Sequence, residues 1–179
     1  MEVYLECAHG EEAVAAVPVE ELVRFVAAAE GVPENAEVSV RFVDDSEMAE
    51  LNQQFRGKSG PTDVLSFECD GLDDGFDDAF AAFEGEASEL DIPFELGDIV
   101  IAPDVAQRQT ELFGTTFASE ISLLLVHGML HLCGYDHIED DEAEAMEARE
   151  RALLGLWADA GHEEVRHVRD DTIRVRGEH

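Results

Sequence analysis

The chain has 179 residues, enough for one domain with a single hydrophobic core. Its 43 acidic residues against 11 basic ones give a formal net charge of −32, which argues against a protein that holds nucleic acid on a broad basic surface. The sequence contains no apolar stretch of the roughly 18 residues that a membrane span needs and no signal segment at its start, so we expect a cytoplasmic protein without a membrane partner.

Hydrophobic periodicity predicts an α+β fold, a single domain in which a mixed β-sheet packs with helices. The predicted strands cover residues 2–7, 37–43, 64–67 and 98–102. The predicted helices cover residues 19–30, a short segment capped by Asp45 or Ser46, residues 103–113, a helix from Phe117 and residues 139–157. In the last of these we expect Met146, Leu153, Leu154 and Leu156 to pack inward and the acidic face to be solvated.

Two segments stand apart from this core, which we assign to residues 1–161. The stretch from Glu68 to Asp98 holds twelve acidic residues and no lysine or arginine, so we interpret about 69–95 as an acidic insertion. It is either a solvated loop or a negatively charged flap that disfavours nonspecific RNA. Residues 162–179 form a C-terminal extension that carries four arginines, and this is either a simple extension or an RNA or ribosome contact.

Residues 127–137 read HGMLHLCGYDH and place three histidines in an H-x3-H-x5-H spacing. His127 and His131 are four residues apart on a predicted helix, which puts both imidazoles on one face. His137 can join them only if the helix stops, and Gly134 is a residue that ends helices. The pattern predicts one zinc ion bound by His127, His131 and His137 at the end of a central helix, with a fourth position left for water.

Neighbouring residues allow more than one role. Asp136 either orients a ligand imidazole through a hydrogen bond or caps the turn into the next helix. Cys133 follows His131 by two residues on the helix and points elsewhere, so we expect a core cysteine. The spacing also fits the zinc-protease pattern H-E-x-x-H-x-x-G-x-x-H, but Gly128 stands where those proteases have their glutamate base, which makes peptide hydrolysis a weak alternative.

The same eleven residues resemble the signature H-G-x-L-H-L-x-G-Y-D-H of the YbeY-type endoribonucleases, also called rRNA maturation factors. Two further blocks are similar to that family: FRGK at 55–58 followed by PTDVLSF at 61–67, and LGDIVI at 96–101. The resemblance spans about residues 38–156. Three departures concern loops: Ser59-Gly60 where the family usually has an acidic residue, Glu68 where it usually has proline, and a longer segment before Leu96.

The resemblance implies a zinc-dependent, single-strand-specific endoribonuclease that acts in 16S rRNA 3′-end maturation and ribosome quality control. Its implied partners are single-stranded RNA or a 16S rRNA precursor and the ribosome or its small subunit, with no DNA. It assigns catalytic roles to Arg56 and His127. A guanidinium matches phosphate oxygens and keeps its charge, which suits Arg56 to bind the scissile phosphate.

Several roles stay open at this stage. Lys58 is either a second phosphate contact or a solvated loop residue. We expect Ser66 to have a structural role near the metal, and the alternative is that it supports a metal ligand through a hydrogen bond. The nucleophile is either water or the ribose 2′-hydroxyl. The competing function is a ribosome-associated assembly factor whose metal is structural.

Overall fold

The computed structural model describes residues 1–68, 94–135, 139–162 and 165. Within these ranges the strands are β1 (Glu2–Cys7), β2 (Ala36–Phe42), β3 (Val64–Glu68) and β4 (Phe94–Ile101). The helices are α1 (Glu11–Val14), α2 (Val19–Ala29), α3 (Asp45–Arg56), α4 (Pro103–Phe113), α5 (Phe117–Leu132) and α6 (Asp140–Asp159).

The four strands form one mixed sheet in the order β1-β2-β4-β3. β1, β2 and β4 run parallel, and β3 is antiparallel to β4. In the described part of the chain β1 and β3 are therefore the two edges of the sheet. The α+β prediction of a mixed sheet packed with helices is confirmed.

Helix α5 lies in the centre of the domain. Residues 119–130 are all buried, because the helix packs against α2, α4 and α6 and against β3 and β4. Its apolar sequence has no polar face, which is typical of a helix surrounded by protein on all sides. The fold thus fixes the histidine-bearing helix on every side.

Helix α3 covers part of the face of the sheet that lies opposite α5. Helix α3 packs Met48 and Leu51 over Leu65 and Val100, which forms a second, smaller apolar cluster. Beside α3 a groove of about 660 Å³ stays open. Tyr4, Arg41, Phe55, Phe67 and Asp98 are among the residues that line it, and neither His127 nor His131 does.

Gly97 marks an irregularity in β4. Glu37 pairs with Glu95 and Val38 with Gly97, so Leu96 is an extra residue in the ladder. Gly97 has a φ of +153°, and a Cβ atom there would lie 2.3 Å from the backbone oxygen of Phe67 and 2.7 Å from Cδ2 of Leu132. Only glycine allows β3 and the end of α5 to approach β4 this closely.

Some predicted details were wrong. Asp44, rather than Asp45 or Ser46, caps α3, and its side chain accepts a bond from the backbone N–H of Glu47. β4 begins at Phe94, so it includes the last two residues of the predicted insertion. Leu156 was expected to pack inward but is 55% exposed, whereas Trp157 is buried and packs on Phe25.

The ends of the chain add smaller findings. The short helix α1 was not predicted. His162 stacks on Trp157 with ring centroids 3.8 Å apart, and Val165 is buried in the core.

Most of the predicted insertion and extension lies outside the described residues. No single helix in the described ranges has the length and hydropathy of a membrane span, although α4 and α5 pass such a test together across a 118° bend.

Candidate active site

The end of α5 brings two of the predicted ligands together. Thr116 and Ser119 form a capping box that starts the helix, and Gly134, with a φ of +99°, follows its end. His127 and His131 lie on one face, as predicted, with their Nε2 atoms 3.2 Å apart. His127 is buried, and His131 is partly exposed.

The other nitrogen of each ring contacts an acceptor. His127 Nδ1 contacts the carboxylate of Glu150, and His131 Nδ1 lies 3.0 Å from the carbonyl oxygen of Tyr135. A neutral imidazole that donates through Nδ1 carries a lone pair on Nε2. Two such lone pairs 3.2 Å apart repel each other unless a cation lies between them.

This arrangement fits a bound metal. Two nitrogens at 2.0–2.1 Å from a tetrahedral zinc are separated by about 3.3 Å, which is close to the observed 3.2 Å. The described residues contain no group of three histidine, cysteine or acidic side chains placed to hold a metal. His137 and Asp136 lie outside the described residues, so their assigned roles stay predictions.

A cleft of about 160 Å³ opens in front of the two histidines. It lies along β3, at the edge of the sheet. Its lining residues are Arg56, Val64, Leu65, Ser66, Glu68, His127 and His131. The cleft therefore contains Arg56, His127, His131 and Ser66 from the predicted site.

Arg56 is the last residue of α3 and precedes Gly57, which has a φ of +65°. Burial lowers the pKa of the Arg56 guanidinium from its ordinary value, and the nearby Asp63 carboxylate acts in the opposite direction. No hydrogen bond or ion pair joins Arg56 to another described residue. Its donors are therefore available to a substrate anion in the cleft.

The loop after Arg56 is fixed by buried polar groups. Asn52 donates to the carbonyl of Gly60 at 2.8 Å. Asp63 accepts from the backbone N–H of Val64 at 2.8 Å and from the Gln109 amide at 3.2 Å. These bonds join the loop of residues 57–63 to α3 and to α4. They therefore restrict the position of Arg56 relative to the histidines.

Lys58 does not line the cleft with Arg56. It is exposed on the loop that follows α3. A second phosphate contact by Lys58 therefore stays a prediction that the cleft geometry does not favour.

Cys133 and Gly128 bear on the alternatives for this site. Burial, together with the charges of Glu30 and Glu68, raises the pKa of Cys133 to about 12, so it is a neutral thiol and a poor metal ligand. At Gly128 a Cβ atom would lie 3.0 Å from Cγ2 of Ile99, so this position faces β4. A glutamate at this position would have to displace the side chain of Ile99.

Sequence reasoning missed three features of the site. Glu150 is 1% exposed and contacts His127, although the acidic face of α6 was expected to be solvated. Glu30 accepts bonds from Tyr135 Oη and from Arg149, which joins the ends of α2 and α5 to α6. Glu68 contributes a carboxylate to the cleft.

One signal for Glu150 was present in the sequence. Met146, Leu153 and Leu154 are buried on α6, and Glu150 occupies the same helical face. A glutamate at such a position faces the core and therefore needs a partner there.

The sequence and fold were compared with known proteins. Residues 8–158 match the family model described as endoribonuclease YbeY. The chain belongs to this family. A protein named endoribonuclease YbeY from Bacillus licheniformis is 41% identical over 141 residues, covering 78% of this chain and 83% of that protein. One of the same name from Frankia casuarinae is 43% identical over 157 residues, covering 88% of this chain and 75% of that one.

A solved structure supports the same assignment. The solution structure of TM1509 from Thermotoga maritima superposes with a TM-score of 0.54 at 26% identity and covers 90% of this chain and 95% of that chain. The resemblance of the YbeY-type motifs is therefore confirmed, and the α+β fold has a solved counterpart.

Proposed function

We propose that this chain is a zinc-dependent, single-strand-specific endoribonuclease that acts in 16S rRNA 3′-end maturation and ribosome quality control. Membership of the YbeY family supports the endoribonuclease activity. The observation that carries the proposal is the shared cleft, in which the Arg56 guanidinium and two imidazoles with facing Nε2 atoms meet.

His127 and His131 would hold the zinc ion, with His137 as the third ligand. When bound, zinc supplies a Lewis acid for phosphoryl oxygens and for the activation of water. Arg56 binds a nonbridging oxygen of the scissile phosphate and stabilises the negative charge that grows there during cleavage. Ser66 lines the same wall and shapes the entrance.

The strongly acidic composition is compatible with this chemistry because the positive charge is local. Arg56 is the only basic side chain that lines the cleft in the described part of the chain, apart from the imidazoles. The substrate is thus bound at one phosphate rather than along a basic surface. The net charge of −32 disfavours nonspecific binding of nucleic acid, which suits an enzyme that must spare most RNA.

The central experiment measures zinc content and cleavage of a labelled single-stranded RNA for the wild type, Arg56→Ala and His131→Ala. We expect Arg56→Ala to keep its zinc and to lose about 10²–10³ in kcat, since a donor to the developing charge is removed. We expect His131→Ala to lose both zinc and cleavage while its far-UV circular dichroism stays unchanged. Arg108→Ala is the control, because it removes the same charge from an exposed pair with Asp45 outside the cleft.

The outcomes separate the competing functions. A folded, zinc-loaded wild type that cleaves no RNA would favour the assembly factor with a structural metal. Cleavage of casein would favour the protease. A DNA oligonucleotide of the same sequence and a duplex RNA should both stay intact.

The nature of the product ends identifies the nucleophile. Attack by water leaves a 5′-phosphate and a 3′-hydroxyl, whereas attack by the ribose 2′-hydroxyl leaves a cyclic phosphate. We expect the first pair, since a metal held by His127 and His131 would activate water. End-group analysis of the cleaved RNA decides between them.

We also propose that the protein works in the cytoplasm with the small ribosomal subunit. Cosedimentation of the purified chain with small subunits on a sucrose gradient tests the contact. Accumulation of 3′-extended 16S rRNA in cells that lack the chain tests the role in maturation.

A further inference from the structure

Glu150 is a buried carboxylate in the middle of α6. It is 1% exposed, and its Oε2 atom has no hydrogen-bond partner among the described residues. Burying an ionised carboxylate is costly unless a specific partner compensates for the lost water. Glu150 has one such partner in the described structure, the Nδ1 atom of His127.

The neighbours of Glu150 on the buried face of α6 are apolar. Met146, one turn before it, and Leu154, one turn after it, are both buried in the core. A leucine at position 150 would continue this apolar face. The carboxylate therefore costs folding free energy at its position, and its benefit must lie in the contact with His127.

That contact determines how His127 faces the cleft. A carboxylate accepts the Nδ1 proton and leaves the Nε2 lone pair directed toward Nε2 of His131, 3.2 Å away. His131 Nδ1 instead contacts the neutral carbonyl of Tyr135.

We propose that Glu150 is the positioning residue of the metal site. It accepts the Nδ1 proton of His127 and so fixes the tautomer and ring orientation of this residue. This inference rests on the proposed function, since it requires a metal at the two Nε2 atoms. It predicts that metal affinity depends on a residue that does not itself contact the metal.

The test uses metal binding rather than RNA cleavage. Zinc affinity is measured on chelator-stripped full-length protein by competition with a chromogenic chelator, and the visible spectrum of the Co²⁺-substituted protein reports the ligand geometry. The variants are Glu150→Leu and Glu150→Gln. Glu144→Gln, an exposed change on the same helix, is the matched control.

We expect Glu150→Leu to fold with lower thermal stability, because the buried Nδ1–H of His127 loses its acceptor. Its zinc affinity should fall about 100-fold and its Co²⁺ spectrum should change, since losses of 10- to 100-fold are typical for such supporting residues. Glu150→Gln still accepts the Nδ1 proton but lacks the charge, so it should recover part of the loss. A residue with a merely structural role would give lower stability with an unchanged zinc affinity and an unchanged Co²⁺ spectrum.

The failures can be told apart. If the wild type binds zinc and Glu150→Leu binds it equally tightly, the positioning role is overturned while the proposed function stands. If Glu150→Leu does not fold, equal zinc affinities of Glu150→Gln and Glu144→Gln overturn the role. If the wild type binds neither zinc nor cobalt, the metal part of the proposed function fails, and the positioning role fails with it.

Discussion

Gly97 offers a sharp test of how the sheet carries the active-site helix. In Gly97→Ala the new Cβ atom would lie 2.3 Å from the Phe67 oxygen and 2.7 Å from Cδ2 of Leu132, both well inside van der Waals contact. The first of these neighbours is backbone, so it cannot rotate away. The φ of +153° is also one that side chains rarely adopt.

The two penalties can be added approximately. A strained backbone conformation costs about 1–3 kcal/mol and overpacking about 1–3 kcal/mol, so Gly97→Ala should lose about 2–6 kcal/mol of unfolding free energy. For a chain of this size each kcal/mol corresponds to about 2–4 °C in Tm, which predicts a decrease of roughly 4–24 °C. Thermal unfolding followed by circular dichroism measures it.

Gly155→Ala is the matched control with the opposite expected sign. Gly155 lies in α6, and a Cβ atom there would meet nothing within 4 Å. Alanine in a helix is favoured over glycine by about 0.5–1 kcal/mol, so Tm should rise by roughly 1–4 °C. A Gly97→Ala variant that melts at or above the wild-type temperature would refute the close packing of β4 against β3 and α5.

Three further predictions concern the site. Glu68→Gln removes a negative charge from the cleft and should lower KM for single-stranded RNA several-fold at low salt. The decrease in KM should be smaller at high salt, where charges are screened. An unchanged KM would mean that Glu68 does not face the substrate. Tyr135→Phe removes the 3.2 Å bond to Glu30 and should lower the unfolding free energy by about 0.5–1.5 kcal/mol in urea denaturation, and an unaltered midpoint would contradict that bond. Treatment with a chelator should abolish RNA cleavage and added zinc should restore it, whereas full activity after metal removal would rule out a metal-dependent reaction.

Much of the site could be predicted because its signals are local. Four residues separate His127 from His131, and helix geometry alone puts such a pair on one face. Gly134 follows the end of α5 for a similarly local reason, since it takes a positive φ. The role of Arg56 was predicted from the motif around it. Its position in the cleft depends on the packing of α3 beside β3.

Long-range contacts set the limit of such predictions. Glu150 and His127 are 23 positions apart in the sequence, and their contact depends on how α6 packs against α5. Leu156 and Trp157 show a related difficulty. Both are apolar neighbours at a helix end, and the choice of the buried one depends on the ring of Phe25 in α2.

The burial of α5 on every side has a consequence for how the family can change over time. Substitutions at its buried positions disturb the core, so selection on folding also restrains the end of the helix that carries His127 and His131. The cleft entrance is under weaker restraint, since Glu68 is exposed and lies on an edge strand. New substrate preferences are therefore expected to evolve at the rim formed by β3 and the end of α3, while the chemistry behind it stays constant.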